Sequence, residues 1–244
     1  MTTPPSKPPL GWDEVFDPAK AGYDSIVPFL GVAQVLANEA SVVLEVGCGR
    51  GGQVDGGPER PIQDLRGPDR KVIGIDIDPV GVENPIIDEF RLIKDDLLWP
   101  VDDGSVDLAV SDFTLEHVAD PVAFVAELTR VLRPGGALVA RTVSRYSPLS
   151  LAARSVPNDN HAGVLSRLQP NRQARDVFPT TYLMNSEKAL AALFDRDYDW
   201  SVAHRGGLDQ YLPRWPRLAK MAAALEPRLP KATQTALIVY ARKR

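Results

Sequence analysis

The chain of 244 residues has a single cysteine, Cys48, so it cannot form an internal disulfide bond. Because disulfides are rare in reducing compartments, this composition favours a cytoplasmic protein. No apolar run reaches the roughly 18 residues that a membrane-spanning helix needs. The first residues, MTTPPSKPPLGW, also lack the apolar stretch of a signal peptide. We therefore predict neither a membrane span nor export.

An excess of positive charge is also absent, since 28 Lys and Arg residues stand against 32 Asp and Glu residues, for a net charge of −4. A nucleic acid partner is therefore not expected. Histidine is scarce, with three copies, and no set of Asp, Glu and His has metal-ligand spacing. We predict no metal site. The hydrolase motif G-x-S-x-G is missing as well, which disfavours hydrolysis.

Proline is concentrated at the start of the chain, where Pro4, Pro5, Pro8 and Pro9 favour an extended tail over residues 1–20. The length and the 44% hydrophobic content of the chain suit one globular domain. We assign residues 21–244 to that domain.

Short apolar segments alternate with helical patterns along the rest of the chain. A helix is predicted to begin at Asp120 and Pro121 and to be ended by Pro134-Gly135-Gly136, and another follows Asn185-Ser186 as far as Phe194. The alternation predicts a doubly wound, Rossmann-like α/β sheet with helices on both faces. Its seven predicted strands cover residues 41–47, 71–78, 90–93, 106–112, 137–143, 198–205 and 233–243.

The stretch VLEVGCGRGGQ, residues 43–53, places a carboxylate in an apolar strand just before a glycine-rich bend. The acid is Glu45, and Gly47, Gly49 and Gly52 fit G-x-G-x-x-G. That glycine pattern is by itself a weak signal for a dinucleotide. The acid is therefore the more informative feature.

Polar residues also follow the other strands, at the ends where ligands of parallel sheets bind. Asp76 ends the second strand, Asp95-Asp96 follow the third, and Ser111–His117 follow the fourth. The ends of four strands are therefore expected to converge on one crevice.

The charge of this crevice bears on the choice between two ligands. A dinucleotide would rest its pyrophosphate on a helix after the glycines, yet GGQVDGGPERP, residues 51–61, disfavours a regular helix there. Glu45, Asp76 and Asp95 would also repel a dianion. An NAD(P)-dependent oxidoreductase stays open as the alternative, but the acids favour a cation.

S-adenosylmethionine is a cation whose polar groups favour acceptors, because it carries a sulfonium, an ammonium, a ribose diol and an adenine amine. Asp76 is placed to accept from both ribose hydroxyls. Asp95 could accept from the adenine amine, with the Asp96 N–H facing a ring nitrogen. Glu45 could bind the ammonium side directly or through water. The glycines let the backbone pass close to such a ligand.

Five motifs in register resemble those of class I S-adenosylmethionine-dependent methyltransferases, in particular the methyltransferase type 11 group. They are VLEVGCGRG, VIGIDIDP, KDDLLWPVDDGSVDLAVSD, LEHVADP and RVLRPGG, and they cover roughly residues 40–143. The resemblance implies a seven-stranded sheet that is mostly parallel, with an antiparallel last strand beside the sixth. The chain departs from the family where the glycines and prolines after Gly52 replace the usual first helix.

The resemblance and the residue chemistry together predict an S-adenosylmethionine site and a methyl-transfer activity. A methyltransferase-like domain that binds the cofactor or a partner without turnover is the second alternative. The glycines and acids of the site are all present, which disfavours it. The predicted cofactor-binding residues are Glu45, Gly47, Gly49, Gly51, Asp76, Ile77, Asp95, Asp96 and Ser111.

Two segments are longer than the sheet requires, residues 144–184 and 205–232, and both are expected to overhang the crevice as lids. Together they contain eleven Lys and Arg residues against four Asp and Glu residues. One interpretation is a small-molecule acceptor with an anionic group. The other is a solvated face, or ion pairs with acids of the core.

His117 is the candidate catalytic residue, because it follows the fourth strand, where the resemblance places residues close to the methyl group. A hydroxyl acceptor usually needs a base to take its proton, and Glu116 lies beside this histidine. Alternatively, His117 packs in the first turn of the next helix. His161 in the first lid could also enter the site. A hydroxyl of a sugar, a lipid-linked molecule or a secondary metabolite is the acceptor that we predict.

Overall fold

The structure is a computed structural model that describes residues 25–51, 63–94, 98–154, 179–208, 212 and 215–244. Seven strands lie within these ranges: β1 Val42–Val46, β2 Lys71–Asp76, β3 Glu89–Leu92, β4 Val106–Asp112, β5 Leu132–Val143, β6 Tyr198–Arg205 and β7 Ala236–Lys243. The α-helices of the same ranges are α1 Ile26–Ala37, α2 Pro121–Val131, α3 Pro148–Arg154, α4 Glu187–Phe194 and α5 Pro216–Leu225. Short 3-10 helices cover Pro79–Glu83, Leu115–His117, Glu226–Arg228 and Lys231–Thr233.

All seven strands form one sheet, in the order β3-β2-β1-β4-β5-β7-β6. The pairs between β3 and β5 are parallel, whereas β7 runs antiparallel to both β5 and β6. The predicted sheet with its antiparallel last strand is confirmed. Because β7 alone is reversed, β1 to β6 all end at one edge, which we call the carboxyl edge. This is the edge where ligands of such sheets bind.

Helix α2 passes into β5 without the break that the sequence predicts. Asp120 caps the helix by accepting from the Val122 and Ala123 N–H groups, both at 3.0 Å. The helix ends at Val131, and β5 already begins at Leu132 rather than at Ala137. Residues 133–136, which include the predicted stop Pro134-Gly135-Gly136, form an irregular insertion within β5. The pairing moves from Val106 with Leu132 to Leu108 with Ala137, so the insertion stands opposite one residue of β4.

Helices cover both faces of the sheet, as predicted, because alternate strand residues point to opposite sides. On β1, Leu44 and Val46 pack in the core beneath α2 and α4, and Val43 packs in the core beneath α1. Helix α1 contributes Phe29, Leu30, Ala33 and Ala37 to the second core. The paired cores fix the strand ends in position at the carboxyl edge.

The helices within the described ranges are either too short or too polar to cross a bilayer. The predicted tail 1–20 lies outside the described residues, and so does most of the first predicted lid, 155–178. The glycine- and proline-rich stretch 52–62 lies outside them as well. The division of the chain into a tail and one domain therefore stays a prediction.

Candidate functional site

The glycine loop after β1 is folded back across the tip of β2. The N–H of Gly47 donates to the Ile75 carbonyl at 2.8 Å. The carboxylate of Asp76 accepts from the Gly49 N–H at 2.8 Å through Oδ2 and from the Asp78 N–H at 2.9 Å through Oδ1. Each oxygen retains a further lone pair. Asp76 thus holds the loop in place and still has acceptor capacity.

Two glycines of this loop have different surroundings. Gly47 has a φ of +71°, and a side chain there would collide with Thr114. Gly49 has a φ of +45°, and a Cβ there would meet no atom within 4 Å. Gly47 is therefore required for packing against the turn after β4. At Gly49 the space beside the Asp76 carboxylate lies open, so a ligand could approach the backbone there.

Glu45 is half-buried near the end of β1, and its charge is costly. Burial is the main cause that raises its pKa to about 8; the nearby carboxylates of Asp112, Asp76 and Asp64 also contribute to this rise, and a hydrogen bond from Asn84 opposes it. Carboxylates that resist ionisation together are stabilised by a cation. This part of the carboxyl edge is therefore suited to a positively charged group.

Asn84 braces both the acid and the glycine loop, a role that the sequence analysis did not find. It is 6% exposed, and its Nδ2 donates to the Cys48 carbonyl at 3.0 Å. Its Oδ1 accepts from the Ile86 N–H at 3.0 Å. The signal available in the sequence was the Asn84-Pro85 pair, a dipeptide typical of turns. It does not indicate which loop the side chain contacts.

Arg141 and Asp112 form a second feature that the sequence analysis missed. The guanidinium of Arg141 is bidentate to Asp112, with both N–O distances at 2.7 Å, and it stacks over the Phe113 ring at 4.5 Å. Arg141 is 3% exposed. The sequence signal was an arginine inside the apolar strand segment ALVARTV. Its pairing with the tip of β4 positions one of the carboxylates that raise the pKa of Glu45.

His117 lies in the 3-10 turn that follows β4, at the carboxyl edge. Its Nδ1 is 3.0 Å from the carbonyl oxygen of Pro179. A carbonyl cannot donate, so Nδ1 carries the proton in this contact. In the neutral ring the lone pair is then on Nε2, the nitrogen that could accept a proton from a ligand.

The neighbouring Glu116 is buried and linked to β5. Its Oε2 accepts from the Thr142 hydroxyl at 2.7 Å, and the same hydroxyl oxygen accepts from Asn185 Nδ2 at 2.7 Å. Burial raises the pKa of Glu116, whereas His117 and the Thr142 hydrogen bond lower it. The chain Asn185–Thr142–Glu116 therefore fixes the turn that carries His117.

The end of the first predicted lid returns to this turn. The Glu116 carbonyl accepts from the N–H groups of Thr181 at 2.7 Å and Tyr182 at 3.2 Å. Within the described ranges, Phe113 and Tyr182 are the non-glycine residues with positive φ, at 50° and 54°. Such conformations persist where the surroundings impose them. Both strained residues flank the 115–117 turn, so this turn is held from two sides.

The remaining predicted residues have different fates. Ser111 is fully buried, and its hydroxyl donates to the Val46 carbonyl at 3.1 Å, so its side chain joins β4 to β1. Ile77 is 57% exposed at the tip of β2, where an apolar part of a ligand could cover it. Asp95, Asp96 and His161 lie outside the described residues. In the described part of the chain, no three His, Cys, Asp or Glu residues form a group that could hold a metal ion.

The segment that carries these residues matches a known protein family. Residues 44–140 match the family described as "Methyltransferase domain". This range contains the glycine loop, Asp76, Asp112 and the His117 turn. It corresponds to the motif region that the sequence analysis identified.

Relatives are similar in sequence to about half of the chain, and a solved structure is similar in fold to most of it. A probable S-adenosylmethionine-dependent methyltransferase of Mycolicibacterium smegmatis is 38% identical over 113 residues, which are 43% of this chain and 40% of that protein. The ubiquinone biosynthesis O-methyltransferase of Maricaulis maris is 28% identical over 139 residues, 54% of this chain and 53% of that protein. The chain thus spans about half or less of these relatives. An S-adenosylmethionine-dependent methyltransferase structure from Mesorhizobium loti superimposes with a TM-score of 0.53 at 18% identity, covering 88% of this chain and 96% of that one, a likeness of fold.

Proposed function

We propose that the chain, whose residues 44–140 match the methyltransferase domain family, is a class I methyltransferase that binds S-adenosylmethionine and transfers a methyl group to a hydroxyl of a small molecule. The observation that carries the proposal is the group of carboxylates around Glu45. Burial, together with the negative charges of Asp112, Asp76 and Asp64, raises the pKa of Glu45 to about 8. A cationic donor would relieve this repulsion, whereas a diphosphate would increase it.

The donor side of the proposal uses residues at the tips of β1 and β2. Asp76 keeps lone pairs that can accept from the ribose hydroxyls, and Glu45 can accept from the ammonium group. Ile77 offers an exposed apolar surface for the adenine, and the open space at Gly49 lets the ligand reach the backbone. S-adenosylmethionine supplies, when bound, an electrophilic methyl group on a sulfonium that departs as a neutral thioether.

The acceptor side uses the turn after β4. His117 presents a proton-accepting Nε2 when Nδ1 donates to Pro179. A base in this position can take the proton that a hydroxyl loses on methylation. Glu116 can stabilise the imidazolium that forms, because its carboxylate lies close enough to His117 for the two charges to interact. The protein otherwise contributes alignment and exclusion of water, which is the main requirement of a displacement at carbon.

The acceptor is proposed as a small molecule, in line with the Maricaulis relative, whose name describes an O-methyltransferase of ubiquinone biosynthesis. We also propose that the acceptor carries an anionic group, because Lys and Arg outnumber Asp and Glu in the two predicted lids. Arg172 and Arg175, which would carry it, lie outside the described residues. If they bind that group, their replacement by Gln raises the KM of the acceptor, and an unchanged KM contradicts this part. The cytoplasmic location also stays a prediction.

Calorimetry with S-adenosylhomocysteine and with NADH tests the donor. We expect binding of the first and none of the second, and the reverse result would support an oxidoreductase. Turnover is then measured as release of S-adenosylhomocysteine from the methyl donor in the presence of a panel of phenols, sugars and carboxylic acids. Donor binding without turnover on any acceptor of the panel would favour the non-catalytic alternative.

A further inference from the structure

Helix α5, in the second predicted lid, presents apolar side chains to solvent. None of its residues is buried. Leu218 is 51% exposed, Met221 57% and Leu225 54%, and they follow one another at i, i+3 and i+7, which places them on one stripe. Trp215, directly before the helix, is 44% exposed. Ala219, Ala222 and Ala223 are less exposed and face the protein.

Cations accompany this stripe. Arg217 and Lys220 are exposed and lie on the flank of the helix that is opposite the alanines, and Arg228 follows in the next turn. Exposed apolar side chains beside a basic flank are typical of a helix that lies in a membrane interface. Trp215 adds a residue type that favours the interface between lipid and water.

The acid of this segment does not offset these cations. Among residues 215–235, Glu226 is the one carboxylate, and it is 1% exposed. It accepts from the Gly207 and Leu208 N–H groups, each at 3.0 Å, and from the Thr235 N–H at 2.7 Å, with a further bond from the Thr235 hydroxyl. The negative charge is therefore turned inward. The exposed side of α5 carries a positive charge together with its apolar stripe.

The same carboxylate fixes the orientation of the helix. Glu226 stands at the end of α5 and joins it to the segment after β6 and to Thr235, one residue before β7. Both of these strand ends belong to the carboxyl edge, where the candidate site lies. The apolar stripe is thus held facing outward beside the crevice.

We propose that α5 docks this edge of the protein onto an anionic phospholipid surface, with Leu218, Met221 and Leu225 entering the interface and Arg217, Lys220 and Arg228 at the headgroups. Charge complementarity favours this occupant. A second copy that covered the stripe would bring its own arginines and lysine against the same cations. The undescribed stretch 155–178 would also add like charge, since it contains three arginines and two aspartates.

The test uses flotation of the full-length protein with vesicles of phosphatidylcholine, alone or mixed with an equal part of phosphatidylglycerol. We expect binding to the mixed vesicles at low salt, weaker binding at high salt because exposed charges are screened, and little binding to the neutral vesicles. Arg217→Gln with Lys220→Gln should weaken the binding by about 25-fold, since each cation near an anionic surface contributes about fivefold. Leu218→Ser, Met221→Ser and Leu225→Ser together should weaken it by roughly tenfold or more.

Matched controls remove the same kinds of side chain elsewhere on the surface. Lys188→Gln with Arg196→Gln removes two exposed cations, and Val35→Ser with Val122→Ser removes two valines that are 68% and 71% exposed. Neither control should change vesicle binding.

Failure of the unmodified protein to float with anionic vesicles overturns the proposal, and so do equal losses of binding in the controls and in the α5 variants. Sedimentation that shows a dimer abolished by the Leu218, Met221 and Leu225 changes would overturn it in favour of a second copy. Binding of S-adenosylhomocysteine is unaffected by any of these outcomes, so the proposed function is tested separately.

Discussion

The two halves of the carboxyl edge are built in different ways. At the tips of β1 and β2, Asp76 binds the Gly49 and Asp78 N–H groups, and the contacts join short motifs that belong to neighbouring strands. At the tips of β4 and β5, Arg141 pairs with Asp112, and Asn185 donates to Thr142 across 43 residues. The first pair of tips, the proposed donor half, is held by carboxylate bonds to backbone N–H groups, whereas the second, the proposed acceptor half, is held by bonds between side chains.

The largest effect expected from this division is at His117. Replacement by Gln should lower kcat by roughly 10²–10³-fold, which is the contribution of a positioned base. The measurement uses an acceptor that is identified in the turnover screen. The affinity for S-adenosylhomocysteine should stay within about twofold, because the residue belongs to the acceptor half. His204→Gln on β6 is the control and should leave kcat unchanged. A parallel loss of cofactor affinity in His117→Gln would break the division between the halves.

The donor half is tested most directly at Asp76. Asp76→Asn keeps the shape but removes the charge and one acceptor, which should cost about 2–3 kcal/mol of binding free energy. Calorimetry with S-adenosylhomocysteine should then show roughly 30–150-fold weaker binding.

Asp107→Asn provides a matched control for that experiment. Asp107 accepts two backbone N–H groups, those of Ser41 at 2.8 Å and Val42 at 2.7 Å, and lies at the opposite edge of the sheet. The Asp107→Asn substitution should reduce the stability of the fold without changing the affinity for S-adenosylhomocysteine. If both variants lose affinity equally, then Asp76 acts through the fold and not as a ligand.

A smaller effect, with a defined pH dependence, is expected at Glu45. Its pKa is about 8 in the folded protein and 4.5 when unperturbed. A cationic ligand favours the ionised form, so affinity for S-adenosylmethionine should increase between about pH 6 and pH 8 and then level off. Glu45→Gln should remove this slope and weaken binding at pH 8.5 by roughly tenfold. Identical pH profiles for both proteins would show that Glu45 does not contact the cation.

The same carboxyl should affect stability with the opposite sign. Between its unperturbed pKa and about 8, the folded protein holds a proton that the unfolded chain has released, so stability falls as pH rises. Glu45→Gln should therefore raise the free energy of unfolding at pH 8 by about 1–3 kcal/mol. Thermal unfolding at pH 5 and pH 8 measures the difference, which should be small at the lower pH.

The smallest effect on activity is expected at Thr142. This substitution separates residues that position the turn after β4 from residues that act in the reaction. Thr142→Val keeps the shape but leaves Glu116 and Asn185 without their shared partner, at a cost of about 1–3 kcal/mol in stability. We expect kcat to fall only a few-fold, because Thr142 is fully buried and acts by positioning the turn. Thr129→Val, which loses a hydroxyl contact with Tyr198 at 2.7 Å, is the control for stability alone.

Local patterns were sufficient to predict the seven strands, and the family resemblance implied the antiparallel direction of the last one. All seven strands, the cap of α2 at Asp120 and that of α4 at Ser186 are confirmed. The family resemblance, stated for residues 40–143, is confirmed by the match over 44–140. The start of β5 was wrong because Pro134-Gly135-Gly136 is typical of a helix end, whereas in the fold a β4 partner accommodates it as an irregularity. The predicted ligand residues stay predictions, and two of them, Asp95 and Asp96, lie outside the described ranges.

The sequence alone determined which strand ends carry glycine or acid, because strand periodicity and turn chemistry are local properties of the chain. It therefore indicated a cationic ligand at Glu45 and Asp76. Tertiary structure decided what surrounds these groups: that Asn84 braces Glu45, that Arg141 pairs with Asp112, and that Glu226 turns inward while the apolar stripe of α5 turns outward. Burial and pairing depend on residues that are distant in sequence. The shift in the pKa of a buried carboxylate and the choice of which helix face is exposed are therefore set only when these residues pack together in the fold.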